Sequence, residues 1–155
     1  RLSDALEQAR ISGTRVALVF IDLNGFKAIN DRYGHAAGDR VLVTMATRLK
    51  RILRATNTVA RIGGDEFVVI LQGLAEGGCL QDEARVICQK IFVELSPPIA
   101  IGNDHRHVGT SLGVAVFPDH APSMDRLIHI ADLTMYEAKR SGNNQYRLGG
   151  QAVGH

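Results

Sequence analysis

At 155 residues the chain has room for one ordinary domain and enough length to bury a core, with little left over for a second. Hydrophobic residues at 45% and charged residues at 22% are the balance of a soluble globular protein, which excludes disorder as the default. A net charge of +2 excludes nucleic-acid or membrane binding by bulk electrostatics, so any affinity for phosphate has to be local. Cys79 and Cys88 lack the paired spacing of a zinc site and read as ordinary intracellular thiols. No charged-then-apolar signal opens the sequence and no apolar run reaches spanning length. The expectation is a cytoplasmic polypeptide, whose parent protein is free to be membrane-attached.

In chain order, Leu2 to Ile11 carries apolar residues at helical spacing and ends near Ser12-Gly13. Val16 to Ile21 is a continuous apolar run, long enough for one buried strand that continues to Leu23. Asp22 therefore sits at the carboxyl end of a buried strand, where open α/β sheets place their ligands. Phe26 to Tyr33 reads as a short helix stopped by Gly34. Gly38-Asp39 then opens a longer one to about Leu53, with Val41, Leu42, Met45, Leu49 and Ile52 on its apolar side.

Two apolar runs, Thr58 to Ile62 and Phe67 to Leu71, flank Gly63-Gly64-Asp65-Glu66. That pattern predicts a β-hairpin, with glycines at positive φ in its tight turn and two carboxylates at its tip. Adjacent acids repel, and a divalent cation would justify them; solvated turn residues are the plain alternative. Gly77-Gly78 separates the hairpin from a helix over about Leu80 to Leu95, halted by Pro97-Pro98.

Ile99 to Ile101, a Gly102-Asn103-Asp104 turn and His107 to Phe117 read as a second antiparallel pair. His105 and His107 alternate onto one strand face, and without a third ligand they mark a solvated edge. Ser123 caps a final helix to about Lys139, with Asp125 in its first turn and Gly142 placed to end it. Gln145 to Leu148 adds an edge strand, and residues 149–155 form a loose tail. Helices alternating with strands around one tight hairpin give an α+β class, a mixed sheet with helices packed on it.

The ordered matches Asp22-Leu23-Asn24-Gly25-Phe26-Lys27-Ala28-Ile29-Asn30-Asp31, Tyr33-Gly34-His35, Gly38-Asp39 and Gly63-Gly64-Asp65-Glu66-Phe67 resemble the GGDEF domain, the diguanylate cyclase family. Further matches at Thr110 to Val114, Ala131-Asp132, Tyr136 to Lys139 and Gly142-Asn143 extend the resemblance over nearly the whole chain. It implies one domain over residues 1–148, with a central, mostly antiparallel sheet flanked by helices, akin to nucleotidyl cyclases and polymerase palms. It also implies condensation of two GTP into cyclic di-GMP, a bacterial second messenger, with release of two pyrophosphates. Each 3′-hydroxyl attacks the other nucleotide, so a homodimer of facing domains is expected.

Phosphoryl transfer needs an in-line nucleophile, a metal to neutralise phosphate charge and donors around the leaving group. Asp22 and Asp65 can share Mg2+ or Mn2+ if their strands are neighbours. The resemblance adds the Leu23 carbonyl as a ligand, gives Asp65 a part in deprotonating the 3′-hydroxyl, and requires Glu66. An acidic cluster without metal is the alternative. Asn24, Gly25, Phe26 and Lys27 lead from strand into helix, where free amides and the helix dipole favour an anion. The resemblance sets the phosphates against Lys27 and Lys139, the guanine against Asn30 and Asp39, and counts Gly64 among the substrate-binding positions. Read alone, Lys139 is a helix-dipole partner, Asn30 a helix surface residue and Asp39 a helix cap. His35 is taken as structural.

The sequence departs from the family pattern in several places. Asn24 stands where many relatives carry a second aspartate, and Asn143 where a basic residue usually faces the phosphates, which points to weaker pyrophosphate binding. Arg54-Ala55-Thr56-Asn57 replaces an Arg-x-x-Asp product-inhibition site, and an amide cannot accept the charge-assisted bonds of a carboxylate, so weak or absent feedback by cyclic di-GMP is expected. The Asp-x-Leu-Thr-Gly-Leu-x-Asn-Arg segment that usually precedes such domains is missing, so a fragment of a larger protein with sensory or EAL domains is expected. A noncatalytic GTP-binding module regulating a cyclic di-GMP phosphodiesterase is the rival reading, and a nucleotidyltransferase for another triphosphate a third.

Overall fold

The computed structural model describes residues 1–53, 57–74 and 79–149. In chain order the elements are α1 (Leu2–Ser12), β1 (Arg15–Leu23), α2 (Phe26–Tyr33), α3 (His35–Ile52), β2 (Thr58–Gly63) and β3 (Glu66–Leu74), followed by α4 (Leu80–Leu95), β4 (Ile99–Ile101), β5 (Asp104–Arg106), β6 (Thr110–Phe117), α5 (Met124–Arg140) and β7 (Gln145–Leu148). The main sheet has the order β2-β3-β1-β6-β7. Its pairs are antiparallel except β6 with β7, which matches the expected α+β, palm-like architecture.

The apolar run of β1 is buried on both faces because the strand is central, paired with β3 on one side and β6 on the other. Alternation along a strand sends successive side chains to opposite faces. Ala17, Val19, Ile21 and Leu23 join a core with Phe26, Ile29, Val41, Met45, Leu49 and Ile91 from α2, α3 and α4. Val16, Leu18 and Phe20 instead pack with Ala5, Leu6, Ala9, Leu127 and Ala131 from α1 and α5. Asp22 continues this second set and so emerges on the α5 side. Gly113 allows α5 to lie directly on β6, because a Cβ there would overlap Ala131 O and Met135 N.

Three expectations are corrected. Helix α3 starts at His35, not at Gly38-Asp39, because Gly34 at φ 90° already makes the break and Ala36-Ala37 continue into helix. Asp39 is therefore within the helix and is no cap; Gly38 is needed for close packing, since a Cβ there would overlap Asn30 Oδ1. Gly63 and Gly64 do not adopt positive φ. The register between β2 and β3 shifts between Arg61 and Gly63, and this bulge takes up the turn's irregularity in their place. Finally, β4 pairs with Asp104–Arg106 in a small separate sheet, while Thr110–Phe117 is a central strand of the main sheet. All eight residues of β6 are buried, which requires neighbours on both sides that β4 alone would not supply.

The remaining elements fall where the sequence puts them. Ser123 Oγ accepts from Arg126 N at 3.4 Å as the cap of α5, and β7 is an edge strand. His105 and His107 are exposed and do not share a strand, and His35 is exposed at the start of α3. Cys79 is exposed at the start of α4, whereas Cys88 is buried, which pushes its thiol up to about 12. Among the described residues no helix is long and apolar enough to cross a membrane.

Candidate active site

The carboxyl end of β1 meets the tip of the β2–β3 hairpin. Asp22 is opposite Glu66 in one ladder and Ser111 in the other, and Leu23 N donates to Asp65 O at 3.1 Å. These pairings gather Asp22, Asp65 and Glu66 so that one carboxylate oxygen of each lies within 4.8 Å of the others. Asp22 is only 2% exposed. Its compensation is Lys139 from the last turn of α5, with Nζ 2.8 Å from Asp22 Oδ2.

Crowding leaves its mark on ionisation. Loss of hydration and then the Asp22 charge raise the Asp65 carboxyl above its ordinary value, partly offset by a backbone hydrogen bond and Lys139. Glu66 is raised likewise, by desolvation first and then by Asp22, Asp132 and Asp65. The Asp22 carboxylate raises the Lys139 ammonium. Three clustered carboxylates, with a buried Asp22 oxygen held among the described residues by a lysine, suit a hard divalent cation, so the donor set fits Mg2+ or Mn2+. Leu23, the third expected ligand, is the last residue of β1, beside both aspartates.

Beyond β1 the chain turns through Gly25, at φ 75°, into α2. Phe26 and Lys27 form its first turn, where amides lack intrahelical partners. The Phe26 ring is buried and anchors the turn, while Lys27 is exposed. Asn24 N–H donates to Gly109 O at 2.7 Å and its Nδ2 to Ser111 Oγ at 3.0 Å, which ties the residue to the start of β6. At the hairpin, a Cβ on Gly63 or Gly64 would meet nothing within 4 Å, which leaves the tip backbone open to a ligand.

Asn30 packs against Gly38 at the α2–α3 seam, and Asp39, the next residue of α3, is exposed. The far end of α2 is tied down by a contact absent from the sequence reading. Tyr33 OH donates to Asp104 Oδ2 at 2.6 Å and accepts from Arg106 Nε at 3.0 Å. The Tyr33 hydrogen bond, helped by the charges of Arg32 and Arg106, holds the Asp104 carboxyl below its ordinary value against desolvation.

On the α5 side a cleft of ≈ 500 Å³ is lined by Asp22, Glu66, His129, Asp132, Tyr136 and Lys139, among others. His129 and Asp132 are further functional candidates that residue-by-residue reading passed over; the helical spacing of residues 129, 132, 136 and 139 is the signal that aligns them. Of the proposed inhibitory pair, Arg54 lies outside the described residues. Asn57 Oδ1 accepts from Gln72 N at 3.0 Å, so its amide braces the end of β3. Asn143 is exposed beside Asn144, whose Oδ1 accepts from Thr110 N at 3.1 Å.

Residues 1–145 match the family described as "Diguanylate cyclase, GGDEF domain". The chain is 45% identical over 150 residues to Diguanylate cyclase TpbB of Pseudomonas aeruginosa, covering 96% of this chain and 33% of that protein. It is 37% identical over 146 residues to the Bifunctional diguanylate cyclase/cyclic di-GMP phosphodiesterase MucR of the same species, covering 94% of this chain and 21% of that protein. The crystal structure of the GGDEF domain of YfiN or TpbB from Pseudomonas aeruginosa superposes with a TM-score of 0.90 at 41% identity, covering 98% of this chain and 92% of that one. The chain thus spans a third or less of the length of these two curated relatives. With its acidic hairpin set against the end of a buried central strand, it belongs to the GGDEF diguanylate cyclase family.

Proposed function

We propose that the domain condenses two GTP into cyclic di-GMP and two pyrophosphates, working opposite a second copy of itself. The observation that carries this reading is the convergence of Asp22, Asp65 and Glu66 beside the first turn of α2. Asp22, Asp65 and the Leu23 carbonyl would hold Mg2+ or Mn2+, which when bound neutralises the triphosphate and polarises the phosphorus under attack. Lys27, the open amides of α2 and Lys139 bind phosphate oxygens, with Gly64 leaving them room at the hairpin. Asp39 accepts from the guanine N1–H and N2–H groups, and Asn30 bonds the neighbouring edge.

In the reaction the 3′-oxygen of one nucleotide bonds to the α-phosphorus of the other, and the bond to pyrophosphate breaks. The hydroxyl proton passes to the Asp65 carboxylate. Since each nucleotide attacks the other, one domain supplies half of the arrangement, and the two sites have to face each other. A GTP-consuming domain of this kind works in the cytoplasm, whatever anchors its parent. The rival reading, a GTP-binding regulator of an attached EAL phosphodiesterase, draws on the amide at Asn143 and on the bifunctional relative. An artificially dimerised domain given GTP and Mg2+ separates the two: cyclic di-GMP supports the cyclase, whereas tight GTP binding without pyrophosphate release supports the regulator.

A further inference from the structure

The contact between Lys139 and Asp22 joins a half-exposed cation to a buried anion. The Asp22 side chain is 3% exposed on a central strand, whereas the Lys139 side chain is 54% exposed at the end of α5. Asp22 Oδ2 has no hydrogen-bond donor besides that ammonium among the described residues. The same carboxylate belongs to the acidic cluster, so the ammonium stands against the group that a divalent cation would share. Two cations crowded onto one buried carboxylate repel each other, and the one on the flexible side chain has to leave. A half-exposed lysine stem can swing without repacking the core.

We propose that Lys139 is an exchangeable counter-ion: it neutralises Asp22 until metal arrives, is displaced by it, and then takes up the phosphate oxygens of the incoming nucleotide. Metal alone has to evict the lysine with nothing to receive it. Metal arriving with a triphosphate supplies the lysine with a new anion, so each ligand strengthens the other's binding. His129, Asp132 and Arg140 line the same cleft, and Arg140 puts a comparable charge there while, among the described residues, the ion pair to Asp22 is made by Lys139. The nucleotide half of this exchange rests on the cyclase reading, whereas the competition between lysine and metal does not.

Mn2+ binding without nucleotide, followed by the loss of the free-ion paramagnetic resonance signal, tests the competition. Lys139→Met should bind Mn2+ about tenfold tighter than the unaltered domain, within the usual range for coupled sites. Arg140→Met should stay within about twofold, as expected when an exposed charge is removed without breaking the pair. Equal affinities for the unaltered domain and Lys139→Met, or an equal gain in Arg140→Met, would overturn the exchange. A second measurement needs no variant: the rate at which an amine acylating reagent modifies Lys139, followed by peptide mass spectrometry. Mn2+ should raise that rate, and addition of a nonhydrolysable GTP analogue should lower it again. A rate indifferent to Mn2+ would likewise overturn the exchange. None of these measurements uses turnover, so they fail or succeed separately from pyrophosphate release by the dimerised domain.

Discussion

Asp22 and Glu66 are directly opposed across the β1–β3 ladder. Like charges placed opposite each other on a sheet are destabilising, and burial of Asp22 sharpens the effect. The register that seats Ile21, Val19 and Ala17 in the core fixes this opposition, because a slip by one residue would turn the whole apolar set outward. The acidic cluster is thus a consequence of sheet pairing, and a bound cation would relieve its repulsion.

Asp65→Asn should lower cyclic di-GMP formation by at least about a hundredfold, the scale of losing a positioned acid–base or metal group. Its metal-free thermal midpoint should hold or rise, since a repelling charge has been removed. Calorimetry in chelator beside a turnover assay checks both; a marked loss of stability would show that the carboxylate holds the hairpin together.

Tyr33→Phe removes the hydroxyl that joins Asp104 and Arg106 and should loosen the end of α2 with only a small loss of global stability. Because Tyr33 anchors the end of α2, whose body carries Asn30, the KM for GTP should rise more than kcat falls. Steady-state kinetics on the dimerised domain checks the split.

Gly113→Ala should destabilise the domain by about 1–3 kcal/mol or more, the cost of overpacking, because the new methyl meets α5 backbone and not a movable side chain. Urea denaturation measures it.

His120 gives the domain a pH dependence away from the active site. Its Nδ1 lies 2.8 Å from Val116 N and accepts from it, so the bonded form is the neutral one. Burial lowers its pKa, with Asp119 opposing and Arg15 adding to the effect. A histidine depressed on folding contributes stability that is present above its unfolded pKa and is lost as pH falls through the folded value. The domain should therefore lose stability below about pH 6.5, the unperturbed histidine value, and the dependence should flatten in His120→Asn. Thermal melts between pH 8 and pH 5 compare the two.

Asn57→Asp keeps the acceptor for Gln72 N while restoring a charge, so stability should change by less than about 0.5 kcal/mol, the ordinary range for a surface substitution. Inhibition by cyclic di-GMP, expected to be weak in the unaltered domain, should become stronger in this variant. Titrating the product into both forms shows whether it does.

Much of this arrangement is legible in the residues. The run Val16–Ile21 announces a buried strand, its terminal Asp22 announces a site, and the glycine-flanked acids announce a hairpin. Non-local pairing is less legible. The segment from Ile99 to Phe117 holds two apolar runs, and spacing alone does not say that β6 leaves β4 for the main sheet between β1 and β7. The start of α3 was set by Gly34, while Gly38 looked like a boundary because its packing against Asn30 is tertiary. Tyr33 and Asp104 lie 71 positions apart, so their bond has no local signature. Asp132 and His129 gain meaning only once α5 is laid against the end of β1.

Turnover by an artificially dimerised domain with GTP and Mg2+, with product identified by mass and pyrophosphate counted, tests the assignment of function most directly. Cyclic di-GMP should form with two pyrophosphates released per product, and formation should vanish in Asp22→Asn. GTP bound at the site but returned unchanged, with no pyrophosphate released by the enforced dimer, would contradict it.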